Sequence, residues 1–167
     1  TEGTAELAIT ASTPAPEAFD YQIIDSERLM LVANRFTGTQ LQQLPVSAEQ
    51  LALYPVVSYD STLPLIRQYF NAVFNQSCQS PIAAICPDIR AIAGIVKAGV
   101  GYSVLPDYLC RDGIKSGELI RLGAAGPENV IYLVWRKGAL KHPRVSYAKD
   151  ILMAFANINK YAADTAG

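Results

Sequence analysis

The sequence predicts an α/β fold, and three observations carry that expectation. Between Pro55 and Pro106, short β-prone runs alternate with amphipathic segments of helical length, in the order strand, helix, strand, helix, strand. A parallel sheet with crossover helices is written this way in sequence. Both helices place apolar residues at spacings of three and four: Leu65, Ile66, Tyr69, Phe70, Val73 and Phe74 in the first, and Ile89, Ile92, Ala93 and Val96 in the second. Such spacing gives each one broad inward face. Half of the 167 residues are hydrophobic, enough to bury a core without disulfide or metal staples.

Taken in order, Glu6 to Ile9 reads as a buried strand, stopped by Thr10, Ser12, Thr13 and the prolines at 14 and 16. Phe19 to Ile24 and Arg28 to Ala33 read as two strands parted by a polar turn, Asp25-Ser26-Glu27. Ser47 followed by Gln50 resembles a capping box for a short helix through Leu53. Pro55 to Tyr59 is the next strand. Asp60, Ser61 and Thr62 stand ahead of the first amphipathic helix as N-cap candidates, with Pro64 tolerated in its first turn. Ile82 to Cys86 is a strand, Pro87-Asp88 starts the second helix, and Gly99 stops it. Gly101 to Pro106 returns as a strand, followed by a short helix from Asp107 to Arg111. Glu118 to Leu122 and Val130 to Lys137 are strands, and Pro143 opens a last helix with the stripe Val145, Ala148, Leu152, Phe155.

Composition removes several function classes. The net charge is -1 and the basic residues are scattered, so no patch stands ready to neutralise phosphates. No apolar run approaches the roughly 20 residues of a membrane helix. No signal peptide is expected at the start, and a chain opening at Thr1 reads as a fragment or processed form. Cys78, Cys86 and Cys110, odd in number and widely spaced, fit a reducing cytoplasm and lack zinc-ligand spacing. His142 is the only histidine and reads as an exposed residue at a helix start. No acid-base or nucleophilic triad forms around it. Gly99-Val100-Gly101 lies after a helix and before a strand, the reverse of a dinucleotide fingerprint.

The stretch Ile92-Ala93-Gly94-Ile95-Val96-Lys97-Ala98-Gly99-Val100-Gly101-Tyr102-Ser103-Val104-Leu105-Pro106 resembles the hallmark of the effector domain of LysR-type transcriptional regulators. There a helix ends in Val-x-x-Gly-x-Gly, and the following strand closes on Leu-Pro. Four further pieces are similar to that family in the right order: Gly3 to Ile9 (with Glu6 where the family has Asp), Ser26 to Ala33, Ser116 to Leu122 and Ile131 to Gly138.

The resemblance implies a two-lobed fold like the type 2 periplasmic binding proteins. Lobe I would hold residues 1–34 and 130–167 and be incomplete at its N-terminus, and lobe II would hold 35–129. The family carries a further strand-helix-strand unit and a winged helix-turn-helix upstream. DNA would therefore be read only through a domain outside this chain, and the exposed strand at Glu6 to Thr10 would invite self-association. A small-molecule effector would bind in the inter-lobe cleft, and the full-length protein would be a cytoplasmic homo-oligomer, dimer or tetramer. No cofactor, no metal and no membrane are implied. A transport-type solute receptor of the same fold is the alternative. An enzyme would need a cluster of perturbed acid, base or nucleophile groups that the sequence does not show.

Within that frame the candidate effector contacts are Thr10, Ser12, Ser61, Thr62, Phe74, Pro87 and Asp88. Ser61 and Thr62 precede a helix whose free N–H groups suit an anionic metabolite; plain N-capping is the other reading. Thr10 and Ser12 end a strand and offer hydroxyls, or simply face water. Asp88 suits a cationic ligand group or a helix cap. Phe74, with Phe70, is either pocket wall or core.

Overall fold

The computed structural model describes backbone for residues 6–11 and 14–164, and side chains as far as residue 156. Gly3, Thr4, Ala5, Ser12 and Thr13 lie outside these residues. The chain forms two compact units, Thr1–Glu27 with Asn129–Gly167 and Arg28–Glu128.

The first unit holds β1 (Leu7–Thr10), the start of β2 (Phe19–Asn34), most of β7 (Glu128–Arg136) and α6 (Pro143–Asp164). β1 pairs antiparallel with β7, Leu7 opposite Trp135 and Ile9 opposite Leu133. Ile24, Leu133, Trp135, Ala139 and Val145 form the core, with Leu7, Leu152 and Met153 packed against it. β1 is the end strand of its sheet, and Ile9 is exposed. Phe155 does not join the stripe expected of it. It is 65% exposed, because Met153 and Ala156 turn toward the sheet in its place.

The second unit is built on the rest of β2. Leu31 pairs antiparallel with Val104 of β5 (Ser103–Pro106) on one side and with Leu122 of β6 (Leu119–Leu122) on the other. Beyond β5 lie β3 (Val56–Ser58) and β4 (Ile82–Ile85), parallel to each other, with a parallel bridge from Val56 to Tyr102. Among the described residues, parallel pairing is thus confined to the middle third of the chain. Alternate residues of β2 enter two cores. Leu29, Leu31 and Ala33 face Leu41, Ile66, Tyr69 and Phe70, whereas Val32 faces Val57, Ile92, Val96 and Cys110. A sheet covered on both faces explains why its strands read as unbroken apolar runs.

Asp25-Ser26-Glu27 is not a turn. β2 runs straight through it. A tight hairpin needs residues at positive φ, and among the described residues only Leu63 and Asn75 adopt it without being glycine. Asp25 and Ser26 face solvent, so their polarity marks an outer strand surface.

Two further helices flank this sheet. α1 (Arg35–Leu41) has Asn34 as its cap, accepting from Thr37 N. Its Gly and Thr content hides it from periodicity. α2 (Ala48–Leu51) is capped by Ser47, which accepts from Gln50 N at 3.2 Å. The reciprocal arm of that capping box is absent: Gln50 Oε1 accepts no hydrogen bond, while Nε2 donates to Leu41 O.

Helices α3 (Pro64–Val73), α4 (Ile89–Lys97) and α5 (Asp107–Lys115) complete the unit. α4 stops as its sequence requires. Gly99, at φ 84°, donates to Val96 O, and Val100 donates to Ile95 O, a Schellman ending that favours glycine. Gly101 then passes so close to β3 that a Cβ there would lie 2.6 Å from Pro55 O.

Candidate functional site

The parallel register sets the site. Ser58 is opposite Ile85, and Cys86 N donates to Ser58 O at 2.8 Å. Adjacent strands lie about 4.8 Å apart, so the segments leaving β3 and β4 emerge side by side at the carboxyl end of the sheet. These are Tyr59 to Leu63 and Cys86 to Asp88. Ser61, Thr62, Pro87 and Asp88 are thereby brought onto one rim. Ligands of open α/β sheets collect beyond the carboxyl ends of the strands.

The first turn of that rim differs from the expected cap. Asp60 Oδ1 accepts from Thr62 N at 2.7 Å and from Thr62 Oγ1 at 2.6 Å. The N-cap of α3 is Leu63, left-handed at φ 54°, with no side-chain cap. Ser61 and Thr62 therefore do not cap the helix; the prolyl ring at 64 supplies no donor, and Asp60 has already recruited Thr62. The Thr62 hydrogen bonds hold the Asp60 carboxyl below the usual carboxylate range. The amides of Leu65 and Ile66 open α3 and have no intrahelical acceptor.

Asp88 does cap its helix. Its Oδ1 accepts from Arg90 N at 3.0 Å and from Arg90 Nε at 3.2 Å. The Arg90 side-chain bond, then the backbone bond, lowers its carboxyl below the ordinary value. A carboxyl depressed in the folded state stabilises it above the unfolded value, and that contribution is lost as pH falls through the folded value. The gap in melting temperature between the parent and Asp88→Ala is expected to be present at pH 7 and to narrow in acid. Melting curves taken across that range test it, and a pH-independent gap would refute the assignment.

Three rim residues had no place among the sequence candidates. Ser58 and Ser103 are buried, Ser103 Oγ donating to Val57 O at 2.8 Å, and Tyr59 stands half-exposed beside them. With Pro64, Leu65 and Ile92 they wall a cavity of about 10 Å³, room for no more than one water. The space beneath the rim therefore has no room for a larger molecule. A hydroxyl closing the apolar run Val56-Val57-Ser58 was the available signal.

Phe74 lies elsewhere. It is the C-cap residue of α3, about 15 Å along the helix from Pro64. There it meets Phe70 and Tyr69 edge to face, with centroids at 5.1 and 5.9 Å. Thr10 ends β1 in the other unit, and Ser12 lies outside the described residues. His142 is exposed just ahead of α6. No group of three or more His, Cys, Asp or Glu among the described residues is placed to hold a metal, and no described helix is long and apolar enough to cross a membrane.

Comparison with known proteins bears on the family and the fold. The family model described as LysR substrate binding domain matches residues 1–156. The HTH-type transcriptional regulator AbaB of Streptomyces antibioticus is 30% identical over 156 residues, covering 90% of this chain and 52% of that protein. The chain thus spans about half the length of this relative. Among solved structures, ArgP from Mycobacterium tuberculosis superposes with a TM-score of 0.77 at 18% identity, over 93% of this chain and 52% of that one. LysG from Corynebacterium glutamicum, with bound effector Arg, gives 0.74 at 17% identity, over 92% and 52%. At such identities the likeness is one of fold: α/β, of the type 2 periplasmic-binding-protein kind.

Proposed function

The chain belongs to the LysR substrate-binding domain family, and from that premise we propose that it senses a small-molecule effector for a transcriptional regulator of roughly twice its length. The regulator reads DNA through another domain. Effector binding changes the arrangement of a cytoplasmic homo-oligomer, dimer or tetramer, by its differential affinity for two states. One observation carries the reading: β3 and β4 release Asp60–Thr62 and Pro87–Asp88 side by side at their carboxyl ends.

Ser61, Thr62, Pro87 and Asp88 are the proposed contacts. Asp60 and Asp88, both ionised, suit a cationic or donor-rich group, and the amides of Leu65 and Ile66 suit a carboxylate. Arginine, the effector bound in the LysG structure, presents both and belongs in the first panel tested. Thr10 and Ser12 belong to the other unit, and the proposal does not depend on them. Nothing observed favours the transport-type receptor.

No catalytic step is part of this reading. His142 is exposed and Cys110 is buried, its thiol pushed up to about 12 by desolvation, which leaves it a poor nucleophile. A thermal-shift screen against amino acids and small carboxylates is expected to yield at least one stabilising compound. A ligand at a hundred times its Kd adds about 2.7 kcal/mol. Ser61→Ala, Thr62→Ala and Asp88→Ala should each shrink that shift. A shift indifferent to all three substitutions, or turnover of the bound compound, would sink the proposal.

A further inference from the structure

The second unit also contains a cavity of about 650 Å³, within the range of small-molecule sites, at the far end of α4 from the rim. Asp88 caps one end of that helix and Lys97 closes the other, nine residues or about 13 Å away. α1 supplies one wall through Arg35, Phe36, Thr39 and Gln40, which share a helix face at spacings of one, four and five. Lys97 and the turn Ser116-Gly117-Glu118 supply the other.

Phe36 is 71% exposed at the edge of this cavity. An isolated surface phenylalanine needs no explanation; one beside an open cavity and an unpaired arginine offers a ring face and a charge together. Lys97 is already committed, Nζ lying 3.0 Å from Glu118 Oε2, and Ser116 Oγ also donates to that carboxylate at 2.9 Å. Arg35 takes part in no ion pair among the described residues, and only its backbone is engaged, N donating to Glu118 O and O accepting from Thr39 Oγ1. Two cations therefore face one carboxylate, and the surplus is the Arg35 guanidinium, whose planar fork matches a carboxylate.

We propose that this cavity is a second ligand site, distinct from the rim, that takes a small carboxylate with an aromatic body. The carboxylate bonds Arg35 and the ring packs on Phe36. Its failure would leave the reading of the rim untouched, since no residue is shared.

The experiment is an amide-resolved NMR titration of the chain with 4-phenylbutyrate, set against 4-phenylbutanol and butyrate. Saturable shifts at residues 35–40, 97 and 116–118 are expected for 4-phenylbutyrate, with both comparison compounds weaker. Arg35→Gln alters a side chain engaged in no ion pair among the described residues, and Phe36→Ala removes an exposed ring. Both should therefore fold normally and each weaken binding by roughly tenfold, the Arg35 change by loss of the charged hydrogen bond to the ligand. Shifts that fail to saturate, or that centre on residues 58–66 and 88–92, would overturn the proposal. So would variants that bind as well as the parent, or an alcohol that binds as tightly as the acid.

Discussion

Replacing Gly101 by valine is expected to destabilise the second unit by roughly 3 kcal/mol, the upper part of the range for a side chain forced into packed structure. The obstacle is backbone. A Cβ at 101 would lie 2.6 Å from Pro55 O and 3.0 Å from Pro55 C, and Pro55 O is the acceptor for Tyr102 N at 3.0 Å. Neither group can rotate away as a side-chain tip does. Relief requires β5 to separate from β3, breaking the bridge from Val56 to Tyr102, and β3 carries the Tyr59–Thr62 turn. Urea unfolding should show a lower midpoint at an unchanged slope. Gly94→Ala, in the same motif, is the control. A Cβ there meets nothing within 4 Å, and alanine in a helix interior should add about 0.5–1 kcal/mol. If Gly101→Val unfolds no earlier than the parent, the close approach of β3 and β5 is wrong.

Phe70→Ala should be as damaging, at about 3–5 kcal/mol. The ring is fully buried among Leu31, Leu51, Ile66 and Tyr102. Its neighbour Tyr69, also buried, donates its hydroxyl to Ala124 O at 2.6 Å, and burial pushes that phenol up to about 12. That bond pins the segment between β6 and β7, so a void at 70 loosens structure on both sides. Phe74→Ala, at a half-buried ring on the same helix, should lose clearly less. Calorimetric melts of the two variants decide the matter. Equal losses would mean that the aromatic cluster is not ordered as described.

Much of this was legible in advance, and the misses share a cause. α3 and α4 stood out because their inward faces repeat every three or four residues, and the stop at Gly99 because only a few local chemistries end a helix that way. The break expected at Asp25 was wrong because a polar triplet looks the same in a turn and on the outside of a long strand. α1 went unseen because its reason for existing is Ile120, more than eighty residues away, against which Gly38 packs. Phe155 fits the helical period as well as Ala156 does; only the neighbouring sheet determines which one turns inward.

The site divides the same way. Asp88 as a cap is a local fact, readable from residue type; Ser61 and Thr62 read as caps of α3, a role that Leu63 takes because Asp60 holds Thr62 in the preceding turn. Their meeting on one rim depends on Ser58 lying opposite Ile85, a register set by packing on both faces of the sheet. The cavity beside Phe36 draws on residues 34–36, 39, 40, 97 and 116–118, which no spacing in the chain connects. The order of residues alone determined most of the elements, the inward faces of α3 and α4, and the family, since propensity, capping and apolar period act within a few residues. Tertiary structure decided which turns share a rim, which aromatic rings are buried and where a second cavity opens, because those depend on strand register and on contacts between segments far apart in the chain.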